Sequence, residues 1–198
     1  MPSLIRNPRT NRMSNLEGFL DAWKDEKHPR NIVQVHLYDT PYGNINNTGE
    51  LGNYHGHAVS KWHHQFEDAI ETGVKQLVLL LVYRFDYITY TSCEGHYYGH
   101  KSIHPVERHA GLIPRSLAEQ ETIVQVFQHL CATVNSQYQF YPIHLQTLIH
   151  SIESDGNLYP AVDLFFRKRR MIPWKIYFDK LDNIYESALT QLDAMWNQ

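Results

Sequence analysis

The sequence predicts an α/β fold, a single-domain sandwich in which a mixed β-sheet is covered by amphipathic helices. Three observations lead there. The chain has 198 residues, a length that suits one hydrophobic core. Its apolar residues recur in some segments at alternate positions and in others at steps of three and four. The two kinds of segment interleave in the order helix, strand, helix, strand, strand, helix, hairpin, helix.

The first 13 residues carry Arg6, Arg9 and Arg12 without an acid and without the apolar stretch of a signal peptide, so a flexible basic arm is expected before a single domain over 14–198. Ser14 and Glu17 have capping-box spacing, and Leu16, Phe19, Leu20 and Trp23 follow at helical intervals, which predicts a helix from about Asn15 to Lys27. Val33, Val35 and Leu37 alternate with polar neighbours and predict a strand from Ile32 to Tyr38. Pro41, four glycines and several asparagines between Asp39 and His57 predict a long loop.

From Val59 to Tyr83, Trp62, Phe66, Ala69, Ile70, Val74, Leu77 and Leu81 describe one long helix. Its last turns are almost wholly apolar, which suits a helix end buried on every side or a chain already turned to strand. A strand is predicted over Phe85 to Thr91, a loop from Ser92 to about Arg108, and a short strand over His109 to Pro114. Ser116 and Glu119 repeat the capping spacing before an amphipathic run that includes Ile123, Phe127, Leu130 and Val134. Asp155, Gly156 and Asn157 mark the turn of a hairpin between Ile143 to Ile152 and Leu158 to Lys168. A final helix follows Pro173, with Ile176, Leu181, Ile184, Ala188, Leu192 and Met195 on its inner face.

Composition narrows the function classes. Charged residues make up 20% and hydrophobic ones 42%, a globular balance, and the longest apolar run, Leu77 to Tyr83, falls well short of the roughly 20 residues of a membrane helix. A formal net charge of -3 removes any chain-wide attraction for nucleic acid and leaves such contacts to local patches. Two cysteines, Cys93 and Cys131, outside any C-x-x-C pair argue against a disulfide framework and point to the cytoplasm.

The densest chemistry lies at Thr91-Ser92-Cys93-Glu94-Gly95-His96, where a buried strand is expected to emerge into a loop. Gly95 allows a tight or left-handed turn that brings its neighbours together. Cys93, Glu94 and His96 are the candidate catalytic groups, because an imidazole titrates near neutrality and a partly buried carboxyl can be shifted toward it. Thr91, Ser92 and Gly95 would line the same space. The bland alternative makes Cys93 a small buried hydrophobe and has Glu94 and His96 bond to each other or cap backbone groups in the turn.

Arg108 and Arg115 could grip a phosphate or carboxylate, against which stands a salt bridge to Glu107 or Glu119. His55 and His57 in the glycine-rich loop could join a substrate or, with His96, a metal; in a chain with 13 histidines such spacing arises readily by chance, and no metal ligand set is assigned. His63 and His64 diverge on the expected helix. Arg167-Lys168-Arg169-Arg170 could hold a nucleic-acid backbone or act as a solvated strand edge, and Tyr97 and Tyr98 could stack on a ring.

Phe66 to Ile70 in a helix, the apolar stretch to Leu81, and then Tyr87-Ile88-Thr89-Tyr90-Thr91-Ser92-Cys93-Glu94-Gly95-His96 resemble the amino-terminal part of the methyltransferase family that acts third in tRNA wybutosine synthesis. In that family an aromatic and threonine-rich strand closes with Ser-Ser-Cys-Ser-Gly-Arg. Ser92, Cys93 and Gly95 match it, Thr91 stands for a serine, and Glu94 and His96 replace Ser and Arg. The resemblance spans about residues 60–96. It implies an α/β fold, S-adenosylmethionine as methyl donor and a modified guanosine in tRNA as substrate.

The expected function is therefore a nucleotide- or RNA-modifying enzyme, a transferase by resemblance, with the 39–57 loop as a lid. Two alternatives stand beside it. One is a zinc- or manganese-dependent hydrolase using His55, His57 and His96. The other is a non-catalytic subunit, with a protein partner or a second copy of itself, that docks RNA or protein through aromatic and basic surfaces.

Overall fold

The β8–β9 hairpin is the spine of the molecule. In a computed structural model that describes residues 4–6, 13–24, 38–40, 43–45, 56–97 and 105–197, two twelve-residue strands, β8 (Ile143–Ser154) and β9 (Asn157–Lys168), pair without interruption from Ile143↔Lys168 to Ser154↔Asn157. Asp155 (φ 51°) and Gly156 (φ 84°) form the two-residue turn, both left-handed, as a turn that matches strand twist requires.

The other strands are β1 (Leu4–Arg6), β2 (Met13–Ser14), β3 (Tyr38–Thr40), β4 (Gly43–Ile45), β5 (Gly56–Ala58), β6 (Ile88–Cys93) and β7 (His109–Ile113). A seven-stranded sheet runs in the order β5-β1-β2-β8-β9-β7-β6, and β3 and β4 form a separate pair. The sheet is mixed: β2 lies parallel to β8 through Met13↔Ser154, and its other pairings are antiparallel.

Helices α1 (Leu16–Lys24), α2 (Thr72–Tyr83), α3 (Leu117–Gln137) and α4 (Trp174–Trp196) cover the sheet. Leu145, Val162, Leu164 and Phe166 from the hairpin meet Ile123, Phe127, Leu130 and Val134 of α3 and Tyr177, Leu181, Ile184 and Leu192 of α4, all buried in one cluster. The predicted α/β sandwich is thus present, and none of the described helices is long and apolar enough to cross a membrane.

Several boundaries differ from the expectation, each for a local reason. The long helix over 59–83 is helical only in α2. Before it the chain makes successive turns, with His63 N–H donating to Ser60 O, Phe66 N–H to His63 O and Ile70 N–H to Glu67 O, and Glu71 is extended at φ −59°, ψ 140°. Phe66 and Ile70 are buried all the same, since turns closing every three residues place side chains with nearly helical spacing. The apolar end of α2 is helix, with Leu77, Val78, Leu81 and Val82 buried.

β6 starts later than expected, after Asp86 turns the chain at φ 55°, and continues through Cys93, so Ser92 and Cys93 are ladder residues and not part of a loop. The start of α1 is set by Asn15, whose carbonyl accepts from Phe19 N–H. The neighbouring N–H groups of Asn15 and Leu16 donate to Asp155 Oδ2 and Ser154 Oγ at the hairpin turn. Ile176 is exposed, and Tyr177 faces the core in its place.

Part of the expected basic arm is sheet, since β1 pairs with both β2 and β5. The expected 39–57 loop contains most of β3, all of β4 and the start of β5, and its remainder lies outside the described residues, as does the strand expected over Ile32 to Tyr38 apart from Tyr38 itself.

A β-bulge interrupts the β6–β7 ladder, where Thr89 pairs with Leu112 and Thr91 with Gly111, leaving Tyr90 as the extra residue. Tyr90 O–H donates to Asp163 Oδ1 at 2.9 Å, and the His150 ring nitrogen meets Asp163 Oδ2 at 3.0 Å. This group closes over Gly111: a Cβ there would stand 2.5 Å from Asp163 Oδ1 and 2.6 Å from the Tyr90 ring. Gly111→Ala is expected to lower stability by about 1–3 kcal/mol through overpacking, read as a lower urea midpoint with an unchanged slope.

Candidate functional site

The end of β6 is held where it is by a reciprocal clasp with the start of α2. Glu71 occupies the N-cap position but makes no side-chain cap of its own. Its Oε2 instead accepts the Glu94 N–H at 2.7 Å, while Glu94 Oε2 accepts the Gly73 N–H in the first turn of α2 at 2.8 Å. Each carboxylate thus satisfies a backbone donor on the other's segment, and the negative charge of Glu94 lies at the positive end of the helix. Gly73 makes room for this, since a Cβ would stand 3.0 Å from both Glu94 and Arg108.

Beyond Glu94 the chain turns through Gly95 at φ 90°. Only glycine suits that backbone, and a Cβ would also press on Val106 O at 3.2 Å and Arg108 N at 3.1 Å. The turn returns His96 to the sheet edge, where it exchanges two backbone hydrogen bonds with Val106, both 2.9 Å. It also brings His96 round to Cys93. Gly95 N–H donates to Cys93 Sγ at 3.4 Å, and His96 Nε2 reaches Glu71 Oε1 at 2.9 Å.

Glu71, Cys93 and His96 therefore converge, each offering one donor atom within 4.8 Å of the others. The Glu71 and His96 side chains are only 9% and 12% exposed. Burial alone would lower the basicity of His96, but hydrogen bonds and charge from Cys93 and Glu71 outweigh it, and the imidazole is pushed up to about 10. The site thus holds a proton on a ring flanked by the Cys93 sulfur and a carboxylate.

Of the three expected catalytic residues, Cys93 and His96 come together and Glu94 does not. Its carboxylate is spent on α2, and Glu71 takes the acidic place beside the histidine. Sequence reasoning missed Glu71 by placing it in mid-helix. The available signal was Gly73, a helix-weakening residue that marks a helix start pressed against another backbone.

Arg108 is also not poised for substrate. It is buried, with Nε donating to Glu94 O at 2.8 Å, Nη2 paired with Asp182 at 3.1 Å and the guanidinium over the Tyr185 ring at 4.4 Å. Tyr177 O–H fixes its backbone by accepting Arg108 N–H and donating to Phe166 O, and burial raises that phenol's pKa. Arg108 braces the turn.

Arg115 stands at the opposite end of the β6–β7 pair, bound to Glu119 and Asp86. His57 is in β5, at the sheet edge opposite β6, six strand spacings or roughly 29 Å away. It cannot join His96 at one metal, and His55 lies outside the described residues. Thr91 pairs with Gly111 and Ser92 with Ala110; both are half-buried, and Thr91 packs its methyl group toward Gly111.

The basic run is largely committed within the molecule. Arg167 bonds Glu107 and lies over Phe165, Lys168 donates to the carbonyls of Arg169 and Ile172, and Arg169 donates to Tyr141 O. Aromatic surface does adjoin the turn. Tyr97, 53% exposed, stacks on Phe178 with centroids 5.7 Å apart, and Phe178 in turn stacks on Trp174. Tyr98 lies outside the described residues. A shallow recess lined by Ser136 to Tyr141 contains none of the candidate residues.

No family model matches the chain, and no curated protein or solved structure matches it.

The raised affinity of folded His96 for its proton ties stability to pH. The ordinary value is 6.5 and the folded value about 10, so the contribution is complete below about 6.5 and is lost as pH rises through about 10. His96→Gln is expected to remove that part of the alkaline decline, seen as a wild-type minus variant difference in melting temperature that shrinks between pH 6.5 and 10.

Proposed function

We propose that the chain is a group-transferring enzyme that modifies a nucleotide or RNA, with Cys93 as its nucleophile. The observation that carries this reading is the convergence of Cys93, His96 and Glu71 at the end of β6. A positively charged imidazole beside the sulfur, with the Gly95 N–H directed at it, stabilises negative charge on sulfur, and Glu71 orients the ring as the third member of a nucleophile, base and orienter series. Sγ attacks an electrophilic carbon of the substrate and forms a C–S bond. His96 gives its proton to the departing atom. In the second step the acceptor takes the group, the C–S bond breaks, and His96 recovers a proton from the acceptor.

The substrate class draws on two features. Tyr97, Phe178 and Trp174 offer a stacked aromatic face beside Gly95, the surface on which an unpaired base settles. The match of Ser92, Cys93 and Gly95 to the wybutosine-synthesis motif favours the same class. No step of this chemistry needs S-adenosylmethionine, the donor that the resemblance implies, and Glu94, where that family has serine, is occupied with α2.

Selective alkylation tests the reading, with Cys131 as internal reference, since burial raises its thiol pKa. Iodoacetamide at neutral pH is expected to label Cys93 at least about tenfold faster than Cys131, and His96→Gln or Glu71→Gln to remove most of that advantage while Glu94→Gln keeps it. Nucleotides or short RNA should slow the labelling of Cys93. Equal rates for the two cysteines would overturn the nucleophile, and labelling unchanged by any nucleotide or RNA would overturn the substrate class.

A further inference from the structure

His96 and the two side chains that flank its ring are also a set of metal donors: one sulfur, one ring nitrogen and one carboxylate oxygen. We propose that Glu71, Cys93 and His96 bind a zinc ion, which withholds the Cys93 sulfur from reaction until the metal is removed. The first half of this inference is independent of the catalytic reading; the second half, regulation, rests on it.

The donor set selects the metal. Thiolate and imidazole suit zinc, whereas magnesium and calcium need mostly oxygen ligands and manganese prefers them. Zinc bonds of about 2.0–2.3 Å in a tetrahedral arrangement put ligand atoms roughly 3–4 Å apart. The three donors lie within 4.8 Å of one another, so a zinc ion needs only small side-chain rotations. They come from the N-cap of α2, the last residue of β6 and the bridge residue paired with Val106.

The surroundings already hold each ligand from behind. Glu71 Oε2 is taken by the Glu94 N–H at 2.7 Å, which leaves Oε1 on the side of His96. The Gly95 N–H points at Cys93 Sγ. Backbone support of this kind orients metal ligands and needs no rearrangement when the ion arrives.

Charge and protons balance. Zinc bonds the thiolate, the neutral imidazole and the carboxylate, and each proton displaced from the sulfur or the ring goes to solvent. The two negative ligands cancel the ion's charge in a half-buried place. Three protein ligands leave a fourth position for water or an outside molecule, the pattern of an exchangeable zinc site and not of a closed structural one.

The test titrates zinc into the metal-free full chain against a chromophoric chelator and repeats the titration with cobalt to read a sulfur-to-cobalt charge-transfer band. About one tightly held zinc per chain is expected, with affinity falling roughly tenfold or more in Cys93→Ser, His96→Gln and Glu71→Gln. His129→Gln, an exposed histidine on α3, is expected to change nothing. Glutamine at 71 can still accept the Glu94 N–H, and circular dichroism of each variant reports whether it has folded. Binding that survives Cys93→Ser in a folded protein, or cobalt binding without the sulfur band, would overturn the site.

Iodoacetamide labelling in parallel separates the two readings. Rapid labelling of metal-free Cys93, stopped by one equivalent of zinc and restored by chelator, supports both. Rapid labelling with no tight zinc overturns the metal and leaves the nucleophile. Tight zinc with metal-free Cys93 no faster than Cys131 overturns the nucleophile and with it the regulatory half.

Discussion

The exchange of backbone partners between Glu71 and Glu94 is the constraint on which the candidate site depends. Each carboxylate accepts one N–H from the other's segment, and hydrogen bonds to a charged group are worth about 1.5–3 kcal/mol apiece. Together they fix the first turn of α2 against the last residue pair of β6. With Glu71 Oε2 engaged by Glu94, its other oxygen is left to face His96. Two carboxylates at one helix start would repel each other were they not spread over distinct donors and accompanied by cations: Arg108 lies behind Glu94, and the charged His96 ring lies in front of Glu71.

The same economy governs the arginines. Arg108, Arg115 and Arg167 each meet an acid from a distant part of the chain or from the next helical turn, and Arg108 and Arg167 also cover aromatic rings. Such pairs hold the turn, the α2–β6 corner and the β9 end in place. Most of the cationic groups that the sequence makes conspicuous are therefore structural, and the chemistry is left to a smaller, mostly uncharged-looking set.

Legibility in the sequence followed the range of the forces involved. The hairpin was readable because its turn chemistry is local, and α3 because its cap and its periodicity agree. The break before α2 was not. Successive turns bury Phe66 and Ile70 much as a helix would, and what ends them is Glu71 reaching to a segment 23 residues away. For the same reason Cys93, Gly95 and His96 could be picked out as a local cluster while their acid could not. Neighbouring Glu94 was the natural choice, and only the fold shows that it faces α2.

Tyr90, the extra residue in β6, has an effect that reaches past its own hydrogen bonds. Side chains alternate between the faces of a strand, so one added residue inverts the parity of everything that follows it. Cys93 is opposite His109 because of that inversion. In an unbulged ladder the counting would put Ser92 there, and the strand would present a hydroxyl, a far weaker nucleophile and metal ligand, at the place where the sulfur now stands.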